Sequence, residues 1–380
     1  MTKCPKSDKL EIMCPRKRLL IDCHSFDAVF SQGITTYIKG IYSLLPKINK
    51  NIDFFFVACD IEKIRMLFGT GENIHYIRLT AKNKIYRLFF ELPEIIRKYD
   101  IDIAHFQYVS PLIKNCKTIV TLHDILFIDY PQYFPTTYKL SKALPFKLSA
   151  RRADLLCTVS NYSREQISLH YGIDKNKIII TPNAVDKEFY EIKGDRPEGF
   201  PDKYILYVSR IEPRKNHLEA VKSFIRLELY KQDFSLVLIG RETVPTPELH
   251  NYINQLPIDV RAKIKLISQA SFHELKLWYK YAELFIYPSL AEGFGIPPIE
   301  AAASGIPVIS HKKTAMSEFT FLGENLIDFE NKEEIDRAII LNIEGHYSYK
   351  PQDIREKIRS KYNWDNIALQ LNKAINERFF

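Results

Sequence analysis

The stretch Tyr287 to Ile309 constrains the fold more than any other part of the chain. Leu284 to Tyr287 is a short apolar run closed by Pro288, which suits the end of a buried strand. A loop follows that holds Glu292, Gly293, Phe294 and Gly295. Pro297 and Pro298 fit the first turn of a helix, where a missing N–H does no harm. The helix is expected to run through Glu300 and three alanines and to end at Gly305 in a left-handed cap. Ile306 to Ser310 is the next strand. Strand, loop, helix and strand in this order are the building block of a parallel α/β sheet.

Such a unit can hold an anion. The loop lies at the carboxyl end of a strand, where open α/β sheets bind ligands. Its glycines let a ligand approach the backbone, and the helix N-terminus behind them carries about half a positive charge. Yet two glutamates, Glu292 and Glu300, flank it eight positions apart. Carboxylates repel phosphate but accept hydrogen bonds from hydroxyls. A nucleotide sugar carries both groups and would satisfy the arrangement. The plainer alternative is that both acids only stabilise the positive helix end, by about 0.3–1 kcal/mol each.

A chain of 380 residues, 46% hydrophobic and 26% charged, fits two soluble globular domains. The net charge of +8 permits an anionic ligand or an acidic membrane surface. No basic face interleaved with aromatics points to nucleic acid. The six cysteines all precede residue 160 without a Cys-x-x-Cys pair, which argues against a zinc site or disulfide scaffold and for a reducing compartment. Residues 1–17 read as a basic extension with no signal core, and no apolar run reaches membrane-spanning length.

In the first half, strands are expected at 18–23, 53–58, 102–107, 118–122, 155–160 and 177–181, with helices at 34–45 and 84–99. Gly33 opens the first helix, either as a cap or as part of a second phosphate cradle. His123 ends a strand and is expected to face an interdomain cleft. Asp100 and Asp102 mimic a metal-binding Asp-x-Asp, but they begin a strand, away from the carboxyl ends. Residues 136–152 mix Lys139, Lys142, Lys147, Arg151 and Arg152 with Leu140, Leu144 and Leu148, interrupted by Pro145. They read as a solvated helix or as a membrane-surface helix. After a linker at 191–203, strands are expected at 204–209, 234–240 and 263–268. Arg210 ends the first of these and Lys215 follows five residues later, so two cations converge at a strand end. Asn216 with Glu219 resembles a capping box.

Glu-Gly-Phe-Gly, the two prolines, the second glutamate and Gly-Ile-Pro-Val-Ile together resemble the Glu-x7-Glu motif of retaining GT-B glycosyltransferases of family 4. Leu122-His123-Asp124 and Pro182-Asn183-Ala184-Val185-Asp186 resemble that family too, although Ala184 stands where glycine is usual and Gly33 where a glycine pair is frequent. The resemblance implies two doubly wound Rossmann-like domains facing a cleft. Residues 1–190 would bind the acceptor and 204–363 the nucleotide sugar, with helix 364–380 crossing back to the first domain.

It further implies that Arg210 and Lys215 hold the donor diphosphate, that Gly293, Phe294, Gly295 and Gly33 contribute to donor binding, and that Glu300 holds ribose hydroxyls. Glu292 and His123 would contact the transferring sugar, and residues 266–271 would meet the base. Glu318 falls at a family glutamate, but His311-Lys312-Lys313-Thr314 departs from the family's serine-rich loop. The expected activity is metal-independent, retaining transfer from GDP-mannose or a UDP-hexose to a saccharide or lipid-linked saccharide. The expected place is the cytoplasm, with possible peripheral membrane contact. A nucleotide-sugar epimerase and a non-catalytic nucleotide-sugar binder are the alternatives.

Overall fold

The computed structural model describes residues 15–28, 33–81, 83–346 and 350–380. Most of the basic N-terminal extension, and Gln32 before Gly33, lie outside them.

Two parallel sheets account for the chain. The first contains β1 (Lys17–Asp22), β2 (Ile52–Ala58), β3 (Ile74–Arg78), β4 (Ile103–Gln107), β5 (Lys117–Thr121), β6 (Leu155–Thr158) and β7 (Ile178–Ile180), in the order 3-2-1-4-5-6-7. The second contains β8 (Lys203–Val208), β9 (Phe234–Ile239), β10 (Ile264–Ile267), β11 (Leu284–Tyr287), β12 (Val308–His311) and β13 (Leu326–Ile327), in the order 10-9-8-11-12-13. In both, the order reverses beside the first strand of the sheet, between β1 and β4 and between β8 and β11. These are the switch points at which doubly wound sheets open a crevice. The strands are continuous apolar runs, such as Phe54-Phe55-Phe56-Val57 and Leu236-Val237-Leu238, because helices cover both faces.

The helix Ile296–Ala303 begins with Pro297 and Pro298 in its first turn, and Gly305 follows it at φ 88°. The terminal helix Trp364–Phe379 returns to the first sheet's domain. Asn49 Nδ2 donates to Asn372 Oδ1 at 2.7 Å, and Arg378 Nε donates to the Asp154 carbonyl at 2.8 Å. Gly40 has no side chain where the Trp364 ring seats: a Cβ there would lie 2.1 Å from the ring.

Several local expectations are corrected. Strand β3 was not anticipated, because Ile74-His75-Tyr76-Ile77-Arg78 is only half-buried and lacks a strong apolar run. The helix expected over 84–99 is broken: Lys84–Tyr86 and Leu92–Lys98 are α-helical, but Arg87–Glu91 forms a π turn in which the Leu92 N–H donates to the Arg87 carbonyl. Thr136–Arg152 is one helix despite Pro145. Asn216 does not cap its helix through its side chain, because it is held in a left-handed conformation at φ 56°.

Candidate active site

A cleft of about 670 Å³ opens between the two sheets at their carboxyl ends. Its walls include Gly33 and His123 from the first domain and Arg210, Lys215, Glu292, Gly293, Phe294, Gly295 and Glu300 from the second. Residues far apart in sequence therefore share one cavity. The N-termini of helices Gly33–Tyr42 and Ile296–Ala303 meet across it, with the Ile296 Cδ1 lying 3.7 Å from the Cβ position of Gly33.

Glu292 is the charged centre of the second domain's wall. Its Oε1 accepts from Lys215 Nζ, from the Ser289 hydroxyl at 2.6 Å and from the Tyr287 hydroxyl at 2.9 Å. Its Oε2 accepts from Arg214 Nη1 at 3.0 Å. Burial alone would raise this carboxyl, but Lys215 and Arg214 outweigh it and hold the group well below the usual carboxylate range. Burial and the neighbouring Arg214 lower Lys215 to about 8, against the opposing pull of Glu292.

Arg214 is the residue that sequence reading missed. Arg210 and Lys215 had been expected to act together, yet the cation buried beside Lys215 is Arg214. It pairs with Glu212 at 2.7 Å as well as with Glu292. Arg210 is 54% exposed and lies 3.6 Å from Glu212. The single 3-10 turn Pro213–Lys215 points two adjacent side chains inward, which residue spacing does not reveal. The Pro213-Arg214-Lys215 run itself was the available signal.

Other site residues have protein partners of their own. Glu300 accepts from the Tyr279 hydroxyl at 3.0 Å. Burial raises it to about 7, and Asp186 adds to the effect against the Tyr279 hydrogen bond. Phe294 lines the cleft while its ring packs on Phe319 and Tyr362 at 5.8 and 5.7 Å. Residues 266–271 span the end of edge strand β10 and the loop after it, and are not among the cleft walls. Glu318 is engaged by the opposite domain: its oxygens accept from the Tyr162 N–H at 2.7 Å and the Asn161 amide at 3.0 Å. Asp102 accepts from the Arg18 N–H at 2.9 Å at the start of the sheet, far from the carboxyl ends.

His123 ends a buried polar chain. Its Nε2 pairs with the Gln107 amide oxygen at 2.8 Å; the Gln107 amide nitrogen lies 3.4 Å from His105 Nε2, and His105 Nδ1 lies 2.6 Å from the Tyr42 hydroxyl. Burial lowers both histidines to about 3, so both are neutral at physiological pH. Gln107 thereby sets the His123 tautomer. The adjacent Asp124 is pushed up by burial, opposed by Arg214 from across the cleft.

His311, Asp328 and Glu330 bring possible metal ligands within 4.8 Å of one another. They lie at the β12 end, and the Lys313 ammonium is already bonded to Glu330.

Glu300 yields a stability prediction. An acid whose pKa is higher folded than unfolded stabilises the fold at low pH and loses that contribution as pH rises. The window here runs from an ordinary value of 4.5 to about 7. The loss should reach about 3 kcal/mol. Urea melts of Glu300→Gln should lack this decline between pH 5 and 8. An equal decline in the variant would assign it to another group.

Known proteins resemble both halves. The family model described as Glycosyl transferases group 1 matches residues 189–361, and that of Glycosyltransferase Family 4 matches residues 60–189. The O-antigen chain mannosyltransferase RfbU of Salmonella typhimurium is 32% identical over 273 residues, spanning 71% of this chain and 72% of that protein. A glycosyltransferase from Rickettsia africae superposes with a TM-score of 0.71 at 18% identity, over 96% of this chain and 98% of its own. Anabaena Alr3699/HepE, crystallised with UDP-glucose, does so with a TM-score of 0.70 at 14% identity, over 95% and 99%. At such identities the superpositions speak for the fold, while the sequence matches speak for descent. The chain belongs to the group 1 and family 4 glycosyltransferases, and is a sugar-transferring enzyme of GT-B fold.

Proposed function

We propose that the enzyme transfers a hexose, with retention at the anomeric carbon, from a nucleotide sugar to a saccharide of a growing surface polysaccharide. Mannose from GDP-mannose is the first choice, because the Salmonella relative is named an O-antigen chain mannosyltransferase. Glucose from UDP-glucose is the second, because the Anabaena neighbour was crystallised with that donor. The observation that carries the reading is the Arg214–Glu292–Lys215 cluster with Arg210 beside it, at the switch point between β8 and β11.

Arg210 is the least engaged of these cations and would meet the donor diphosphate first. Lys215 would exchange its bond to Glu292 for one to phosphate, contributing roughly 1.5–3 kcal/mol. The released Glu292 oxygen would then accept from a sugar hydroxyl, and Glu300 from the ribose. Negative charge that grows on the leaving diphosphate would be met by Lys215, Arg210 and the N–H groups near Gly293 and Gly295, so the reaction needs no metal. Among the described residues, no side chain stands out as a covalent nucleophile. We therefore favour front-side displacement, with the leaving phosphate taking the acceptor proton. Neutral His123 would position the sugar.

Among the described residues, no helix is long and apolar enough to cross a membrane. We place the enzyme at the cytoplasmic face of the inner membrane, where a lipid-linked saccharide acceptor would lie. In support, helix Thr136–Arg152 exposes Leu140 and Leu144 beside its lysines, and Ile85 and Phe90 are also exposed.

The test is a binding and hydrolysis screen of GDP-mannose, UDP-glucose, UDP-galactose and UDP-N-acetylglucosamine, with and without EDTA. One donor should bind selectively, regardless of EDTA, and be hydrolysed slowly. Interconversion of the sugar would favour an epimerase. Failure of every donor to bind folded enzyme would sink the transferase mechanism drawn here.

A further inference from the structure

The first domain's wall of the cleft carries three cations that the transfer chemistry leaves unused: Lys84, Arg87 and Lys142. Among the described residues, none of the three has an acidic partner within ion-pair distance. Arg87 is only 6% exposed, and its Nε lacks any hydrogen-bond partner. Asp22 feels the charge of Arg87, but its Oδ1 accepts from the His24 N–H at 3.2 Å and lies 3.0 Å from the His24 ring.

Arg87 cannot swing away to solvent. It opens the π turn Arg87–Glu91, and π turns gather at functional sites. That turn is anchored at its other end, where Glu91 accepts from the Thr80 hydroxyl at 2.7 Å and the Ala81 N–H at 3.1 Å. Leu88 and Leu92 bury the segment in the core. Lys84 is exposed overall but lines the cleft. Burial there, then Lys142 and Arg87, lower it to about 8. Like charges gathered around a buried guanidinium whose Nε is unpartnered are costly unless an anion joins them. A planar guanidinium with two ammonium groups matches the oxygens of a phosphate. On the proposed mechanism the donor diphosphate is met by Arg210 and Lys215 on the opposite wall, which leaves these three cations for a second phosphate.

We propose that Lys84, Arg87 and Lys142 form a binding site for a phosphate group carried by the acceptor. The assignment rests on the cleft being the transfer site. It narrows the acceptor from any saccharide to a phosphorylated one, either a soluble sugar phosphate or a lipid-linked phosphate.

The experiment saturates the enzyme with UDP or GDP, which fills the donor site, and then titrates inorganic phosphate and pyrophosphate by calorimetry. Both ions should still bind. Arg87→Gln, and separately the surface pair Lys84→Ala with Lys142→Ala, should weaken them at least ten-fold while nucleotide affinity changes less than two-fold. Absence of phosphate binding to the nucleotide-saturated wild type, or equal binding by folded variants, would overturn the site. If no nucleotide binds, the transfer mechanism fails by itself; the same titration on free enzyme then decides the anion site through its dependence on Lys84 and Lys142. Glucose 1-phosphate and vesicles containing a polyprenyl phosphate distinguish the sources. The one whose binding is lost in the variants names the acceptor class, and variant-independent binding of both counts against the proposal.

Discussion

Glu292→Ala is expected to lower stability by about 3–5 kcal/mol and to abolish transfer, since removing one member of a buried ion cluster strands the others. Lys215 and Arg214 are both buried and both bonded to this carboxylate. The acid neutralises two cations that are themselves buried away from water. Lys215→Ala separates folding from chemistry. It leaves Glu292 with Arg214, Ser289 and Tyr287, so the fold should tolerate it better. Transfer should still fall about 10²–10³-fold, the usual cost of losing one group that stabilises developing charge. Denaturant melts and turnover on both variants provide the check. A Glu292→Ala protein as stable as wild type would show that the cluster contributes little to the fold, and full turnover by Lys215→Ala would remove that residue from the mechanism.

Gly293→Ala should disable the enzyme by a different route. A Cβ at this position would lie 2.6 Å from Asp124 Cβ and 2.9 Å from the His123 carbonyl oxygen, both in the opposite domain. The His123 oxygen is backbone and cannot step aside as a side-chain end can. The Gly293 carbonyl meanwhile accepts from the Ser160 hydroxyl at 2.7 Å. The added methyl group should therefore push the domains apart. Misplacement by about 1 Å can cost about 10²-fold in rate, and we expect at least that loss. Nucleotide should still bind, because its expected contacts lie mainly on one domain. X-ray scattering should show a larger radius of gyration. Normal turnover with unchanged scattering would mean that this tight interdomain contact is not part of the working enzyme.

Much of this protein is readable in one dimension. Pro288, Pro297, Pro298 and Gly305 punctuate the strand–loop–helix–strand unit because proline and glycine restrict backbone geometry locally, whatever surrounds them. The apolar runs of β2, β8, β9 and β11 announce buried parallel strands for the same local reason. The motif around Glu292 and the positions of His123, Arg210 and Lys215 at strand ends follow from those elements.

Side-chain partners are another matter. Asn216 looked like a cap, but the turn before it imposes a left-handed backbone. Glu318 matched a family position, yet it serves the N-terminus of helix Asn161–Tyr171 in the other domain. Arg87 sits in a stretch with helical spacing, yet it falls in a π turn and lines the cleft, its Nε unpartnered among the described residues.

The sequence by itself determined the doubly wound α/β fold and the strand–loop–helix–strand unit around Glu292, because backbone preference and hydrophobic pattern are properties of neighbouring residues. Tertiary structure alone decided which charges are paired. Arg214 rather than Arg210 is locked to Glu292, Gly293 lies against Asp124, and Lys84, Arg87 and Lys142 line the cleft with no acidic partner in ion-pair distance among the described residues. Charge pairing depends on distances across the fold and on exclusion of water, and neither is encoded in the spacing of residues along the chain.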